Sequence, residues 1–250
     1  MAKIVSVHSF RGGTGKSNTT ANVAAVLAAD GQRVAVVDVD VLSPGVHVLF
    51  GLDQESMRAS LNEYLWGRCE IAEAAHDVTP PTAADEGRVY LVPASMKAHD
   101  IARLVHEGYD VASLIEGCRT LIDKLSLDVL LLDTHPGLND ETLLAIAMSN
   151  ALGIVLRPDR QDYEGTHVTV AVARKLSVPR LVLVVNKAPP SFEPADVERL
   201  VAEAYDCRVA AVLPHSEELM TLSSEAVFAV RYPEHPLTAL YRQVAASLVA

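Results

Sequence analysis

The sequence predicts a doubly wound α/β fold, a mostly parallel sheet with helices on both faces. Seven short apolar runs alternate with helical patterns, and most of the runs are continuously apolar instead of alternating with polar residues. A strand that is apolar on both sides must be covered on both sides, as in a parallel sheet between helix layers. A glycine-rich segment between the first run and the first helical pattern adds a ligand loop of the kind such sheets carry at their strand ends. No internal repeat or low-complexity linker divides the 250 residues, so one domain over 1–250 is expected.

The first strand, residues 3–8, runs into residues 10–17, Phe-Arg-Gly-Gly-Thr-Gly-Lys-Ser, which open a helix over 16–29. Gly12, Gly13 and Gly15, with Thr14 between them, let backbone N–H groups turn toward one point, and the helix start adds partial positive charge there. This is the phosphate-loop pattern. Lys16 reaches the outer phosphates, Ser17 offers magnesium a hydroxyl, and Asn18 continues the polar first turn. The loop's usual first glycine is Phe10 here. A plain tight turn would leave the Gly-Lys-Ser triplet unexplained.

The second strand, 33–38, ends Val36-Val37-Asp38-Val39-Asp40, and strand alternation places both aspartates on one side of the chain. A phosphate-bound magnesium, or a water that must be aimed at the terminal phosphorus, would use two carboxylates there, with Asp38 a candidate metal ligand. The alternative is that one of them caps the following turn. A helix is expected over 56–65, a strand over 88–93, and helices over 98–105 and 111–125.

The strand at 128–133 delivers Asp133 after four hydrophobic residues, the form of the second magnesium element. Thr134-His135-Pro136-Gly137 follows, and the Gly137 N–H can meet a terminal phosphate. His135 reads either as a general base or as a histidine that hydrogen-bonds within this switch. The second reading is preferred, because phosphoryl transfer asks mostly for positioning. Beyond it come a helix at 141–148, a strand at 151–156, a helix at 165–176 and a strand at 180–186. A guanine reader of the Asn-Lys-x-Asp type is excluded, since Pro189 stands where the aspartate belongs. Adenine is therefore expected, with the Asn186 amide on the ring and the backbone near Pro214 as another wall. Helices at 194–204 and 236–248 flank a last strand at 208–213.

A net charge of −11 repels polyanions and disfavours nucleic acid as a partner. A stretch free of acidic residues, with Arg174, Lys175, Arg180 and Lys187, is the one candidate basic patch, or else a set of ordinary solvated charges. Cys69, Cys118 and Cys207 are far apart and form no C-x-x-C pair, so free thiols are expected. Without a membrane-length apolar run or a signal-peptide pattern, a cytoplasmic location is expected.

Arg11-Gly-Gly-Thr-Gly-Lys-Ser, Asp38-Val-Asp40, Asp133-Thr-His-Pro-Gly137, Asn186-Lys187 and Val212-Leu-Pro-His215 together resemble, in order and spacing, the MinD/ParA ATPases. The resemblance extends to the tail, where Tyr232-Pro-Glu-His-Pro leads into a final helix. It implies a P-loop NTPase fold, ATP and Mg2+ as cofactors, and slow hydrolysis. It also implies an ATP-dependent homodimer in which a basic residue before the glycine pair touches the partner's nucleotide. Arg11 occupies that position where the family usually has lysine. By the same analogy Lys16 grips the outer phosphates, Ser17 and Asp133 organise magnesium, Asp40 positions water, and a partner protein stimulates turnover or acts as cargo.

The job implied is positioning or partitioning of DNA, cargo or division machinery. The alternative is a regulatory module that holds a partner with little turnover. Relatives that attach to membrane do so through a basic amphipathic tail, and the tail here has one arginine, Arg242, so no direct anchor is expected. A metal-inserting ATPase is a weaker reading because paired cysteines are lacking. A nicotinamide enzyme is weaker still, because G-x-G-x-x-G is absent.

Overall fold

The structure, a computed structural model, describes residues 2–250. Its strands are β1 (Lys3–His8), β2 (Arg33–Asp38), β3 (His76–Asp77), β4 (Arg88–Val92), β5 (Val129–Asp133), β6 (Ala151–Leu156), β7 (Leu181–Ala188) and β8 (Arg208–Pro214). They form one sheet in the order β3-β4-β2-β5-β1-β6-β7-β8. Every pairing is parallel except the two-residue β3 against β4.

The helices are α1 (Lys16–Ala29), α2 (Val46–Leu49), α3 (Leu61–Leu65), α4 (Ala98–Glu107), α5 (Val111–Leu125), α6 (Asp140–Ala147), α7 (Arg160–Lys175), α8 (Pro194–Tyr205), α9 (Glu217–Thr221), α10 (Phe228–Arg231) and α11 (Pro236–Val249). Strand side chains alternate between two layers. Val34 and Val36 pack toward α1, α10 and α11, while Ala35 and Val37 pack toward α4 and α5. Farther along the sheet, Ile154 and Leu183 meet Val170 of α7 and Val197 of α8. The doubly wound class is thus what the continuous apolar runs encode.

Burial of α1 is unusually complete, with eleven of its fourteen residues buried, because its small side chains let it lie between the sheet and α11. The tail helix α11 packs its apolar face, including Tyr241, Val244 and Leu248, into the same layer. No helix among the described residues is long and apolar enough to cross a membrane.

Differences from the sequence reading have local causes. The helix expected over 56–65 begins only at Leu61, because Ser60 and Glu63 form a capping box there and Asp53 folds residues 53–56 into a turn. The helix expected from 165 begins at Arg160, where the Asp159 side chain accepts the Asp162 N–H. Gly165 lies inside it because a Cβ would collide with the Phe10 ring. The short elements α2, β3 and α10 carry no periodic signal of their own.

Candidate functional site

The carboxyl ends of β1, β2 and β5 meet at one edge of the sheet. Register places Asp38 beside Asp133, and Asp133 beside Val7, just before the loop that enters α1. Gly13 and Gly15 take positive φ of 78° and 96°, which lets the loop curl back over the start of α1. A Cβ on Gly15 would collide with the Asn186 side chain, so this turn demands glycine on space as well as dihedral.

Lys16 points into the centre. Its Nζ lies 2.9 Å from Asp133 Oδ1, which also accepts the Thr20 hydroxyl at 3.0 Å, and Ser17 Oγ is 3.4 Å from the same ammonium. Both partners of this ion pair are almost wholly buried. The loop amides, this ammonium, the Ser17 hydroxyl and the Asp133 carboxylate are a donor set that fits a magnesium-bound phosphate chain. Thr14 Oγ1 adds a buried hydroxyl that has no partner in the structure.

Asp38 is fully buried, and its two oxygens accept the backbone N–H groups of Asp40 and Gly45, each at 3.2 Å. It therefore shapes the turn after β2 while sitting beside Asp133. Burial, with the like charges of Asp133 and Asp40 adding to it, pushes its carboxyl up to about 8. The folded protein holds a proton there that the unfolded chain gives up near about pH 4, so stability falls as pH rises through this window. His8 has the opposite sign. Burial, then the charges of Lys16 and His135, lowers it to about 3, so it costs stability only as pH falls below about 6.5. We expect the unfolding midpoint of the nucleotide-free protein to decline between about pH 6.5 and about pH 8.5, and Asp38→Asn to flatten that slope in thermal melts.

Asp40 lies just beyond β2. Its Oδ1 accepts the Ser43 N–H at 3.1 Å and faces His135 Nδ1 at 2.6 Å. The switch segment is tied to the loop by Gly137 N–H donating to Ser9 O at 3.1 Å, and Gly137 itself takes a φ of 87°. Thr134 Oγ1 bridges Val7 O and His8 Nδ1.

Two expected residues have contacts that the sequence did not indicate. Asn186, expected on the base, donates Nδ2–H to Thr14 O at 2.7 Å and accepts the Lys187 N–H, so its amide braces the loop. Lys187 adds a second brace, Nζ to Gly13 O at 2.8 Å, and Pro214 sits across from Ala188 at the end of β8. Arg11, expected to face a partner, is held within its own chain. Its Nη1 lies 3.4 Å from Asp159 Oδ1 and 3.2 Å from Asp162 Oδ1 at the start of α7, beside the Phe10 ring on Gly165. Three of the four cations of the candidate basic patch have partners within the chain, and Lys175 is exposed. Arg174 binds the carbonyls of Tyr205 and Asp206, Arg180 that of Ser247, and Lys187 the loop.

Across the whole chain, residues 1–249 match the ParA family model described as the NUBPL iron-transfer P-loop NTPase. The chain belongs to the ParA family of P-loop NTPases. An uncharacterised ATP-binding protein of Methanocaldococcus jannaschii is 25% identical over 251 residues, 100% of this chain and 88% of that protein. An iron-sulfur cluster carrier protein of Pseudomonas fragi is 27% identical over 255 residues, 97% of this chain and 83% of the relative. Among solved structures, the septum site-determining protein MinD of Pyrococcus horikoshii, complexed with Mg-ADP, superposes with a TM-score of 0.78. At 22% identity, covering 98% of this chain and 95% of that one, it is a likeness of fold.

The contacts at this edge that the sequence did not indicate include His135 on Asp40 and Arg11 on the α7 carboxylates. Neither pairing has a sequence signal, because each joins loops of different strands.

Proposed function

We propose that this chain is a cytoplasmic, magnesium-dependent ATPase that dimerises face to face on ATP and works as a switch in positioning or partitioning of DNA, cargo or division machinery. The observation that carries this is the convergence of Lys16, Asp133 and Asp38 beside a glycine loop that turns at positive φ at Gly13 and Gly15. Lys16 would exchange Asp133 for the outer phosphates, Ser17, Asp38 and Asp133 would hold magnesium, and Asp40 would orient the attacking water. Magnesium, when bound, neutralises charge on the phosphate oxygens. Asn186 and the Pro214 backbone would border the adenine. The Mg-ADP of the archaeal MinD structure supports the choice of cofactors.

A homodimer over this edge is supported by a rim of exposed apolar side chains. Phe10, Leu42, Met96, Phe192 and Met220 each follow the carboxyl end of a strand. Apolar side chains exposed along the edge that holds the polar site offer contacts a second copy would cover. Light scattering should show a dimer with Mg-ATP and a monomer with ADP, and Asp40→Ala should trap the dimer by slowing hydrolysis. An unchanged mass in ATP, for Asp40→Ala as well, would refute the dimer. A dimer that releases no phosphate, alone or with a partner protein, would identify the regulatory module instead.

Relatives named iron-sulfur carriers favour cluster transfer as a second reading. The thiols here oppose it. Cys118 lies buried in α5, and burial pushes its thiol up to about 12; burial also raises Cys69 and Cys207, which sit on other segments. Cluster ligation needs adjacent thiolates. DNA binding is disfavoured by the acidic surface and by the engagement of Arg174 and Arg180 with helix-end carbonyls.

A further inference from the structure

Asp40 has an unusual neighbour. Both donors that reach its carboxylate, Ser43 N–H and the His135 ring, go to Oδ1. The 2.6 Å separation from His135 Nδ1 is short for a nitrogen–oxygen pair, as expected where one partner is charged. His135 is itself fixed, because its carbonyl accepts the Thr142 hydroxyl at 3.2 Å and Thr142 is anchored in α6 by the Asn139 cap. The imidazole thus links a rigid helix to a carboxylate on the loop after β2, a segment with no helix or strand of its own to hold it.

We propose that His135 is a positioning residue for hydrolysis. Its Nδ1–H holds Oδ1 and leaves Oδ2 as the oxygen that accepts from the attacking water. This rests on the ATPase reading given above and assigns His135 a part in it. A carboxylate side chain without such a contact can take several rotamers, and a donor held on one oxygen removes part of that freedom. The proton stays on the imidazole throughout. His135 therefore acts through Asp40, touching neither phosphate nor water.

The test uses full-length protein and steady-state phosphate release at saturating Mg-ATP, with ATP affinity measured by calorimetry. His135→Ala and His135→Gln should lower kcat about 10- to 100-fold while KM and affinity stay within about 2-fold. His135→Asn, whose side-chain N–H can reach the place of Nδ1–H, should recover kcat to within about 3-fold of the wild type. In an Asp40→Ala background, His135→Ala should change kcat by less than about 2-fold, because the two act as one unit. If the asparagine variant is as slow as the alanine one, or if the two losses multiply, His135 does not work through Asp40. A raised KM with kcat intact would equally overturn the proposal. If His135→Ala fails to fold, the asparagine and glutamine pair decides alone. A wild type that binds ATP without releasing phosphate would sink the ATPase reading itself, which is separate from these variant comparisons.

Discussion

Lys16→Ala should abolish measurable ATP binding and also weaken the fold, and the two losses can be separated. The ammonium is the only side-chain cation within contact of the buried Asp133 carboxylate among the described residues. Against phosphate it would make charge-assisted hydrogen bonds, each worth about 1.5–3 kcal/mol, so calorimetry should show an affinity loss of at least about 100-fold.

Against the fold, removing one partner of a buried ion pair costs about 3–5 kcal/mol, which in a chain of this size lowers the melting temperature by roughly 6–20 °C. The double variant Lys16→Met with Asp133→Asn removes both charges. It should regain most of the melting temperature and none of the ATP binding. A single Lys16→Ala protein that still takes up ATP within about 3-fold of wild type would show that the cradle is not where the triphosphate sits.

What the sequence made legible follows how locally each feature is encoded. Helix α1 from Lys16 to Ala29 and helix α5 from Val111 to Leu125 fall where the sequence placed them, because a glycine loop and an Asp110 cap mark their starts. Asp38, Asp133 and Lys16 were readable because each stands at the end of an apolar strand or inside the loop motif, and a parallel sheet aligns those ends.

The His135–Asp40 contact was not readable. It spans 95 residues, and nothing in a single sequence states which rim loops meet above the sheet. The same holds for Asn186, whose spacing suggested a base reader while its amide braces Thr14 across 172 residues. Gly165 misled in the other direction. The expected helix started there, yet Gly165 lies within α7 and admits the Phe10 ring, a tertiary reason with no local trace.

Arg11→Ala is expected to leave ATP affinity of the monomer within about 3-fold and to lower turnover of the dimer by about 1000-fold or more, the scale of a cationic side chain supplied across an interface to phosphoryl transfer. The geometry explains why the resting chain can keep this arginine parked. Asp162 is only 2% exposed, and it is also held by Arg157, through the backbone N–H at 2.8 Å and Nε at 3.3 Å. Arg157 Nη2 likewise reaches Asp159 Oδ2 at 3.0 Å. Were Arg11 to swing toward a partner's nucleotide, neither carboxylate would be left without a cation, so the heavy penalty for stranding a buried charge would not arise.

Arg11 is held by the Asp162 pair and by the partly exposed contact with Asp159, the latter worth about 1 kcal/mol or less. Asp159→Asn keeps a capping oxygen for α7 and weakens that hold. It should lower the ATP concentration for half-maximal dimerisation by up to about 5-fold in light scattering. If Arg11→Ala instead hydrolyses ATP at the wild-type rate while Asp159→Asn leaves dimerisation untouched, the arginine serves only to pin the phosphate loop against α7. Charge stabilisation in the dimer would then have to come from Lys16 and magnesium alone.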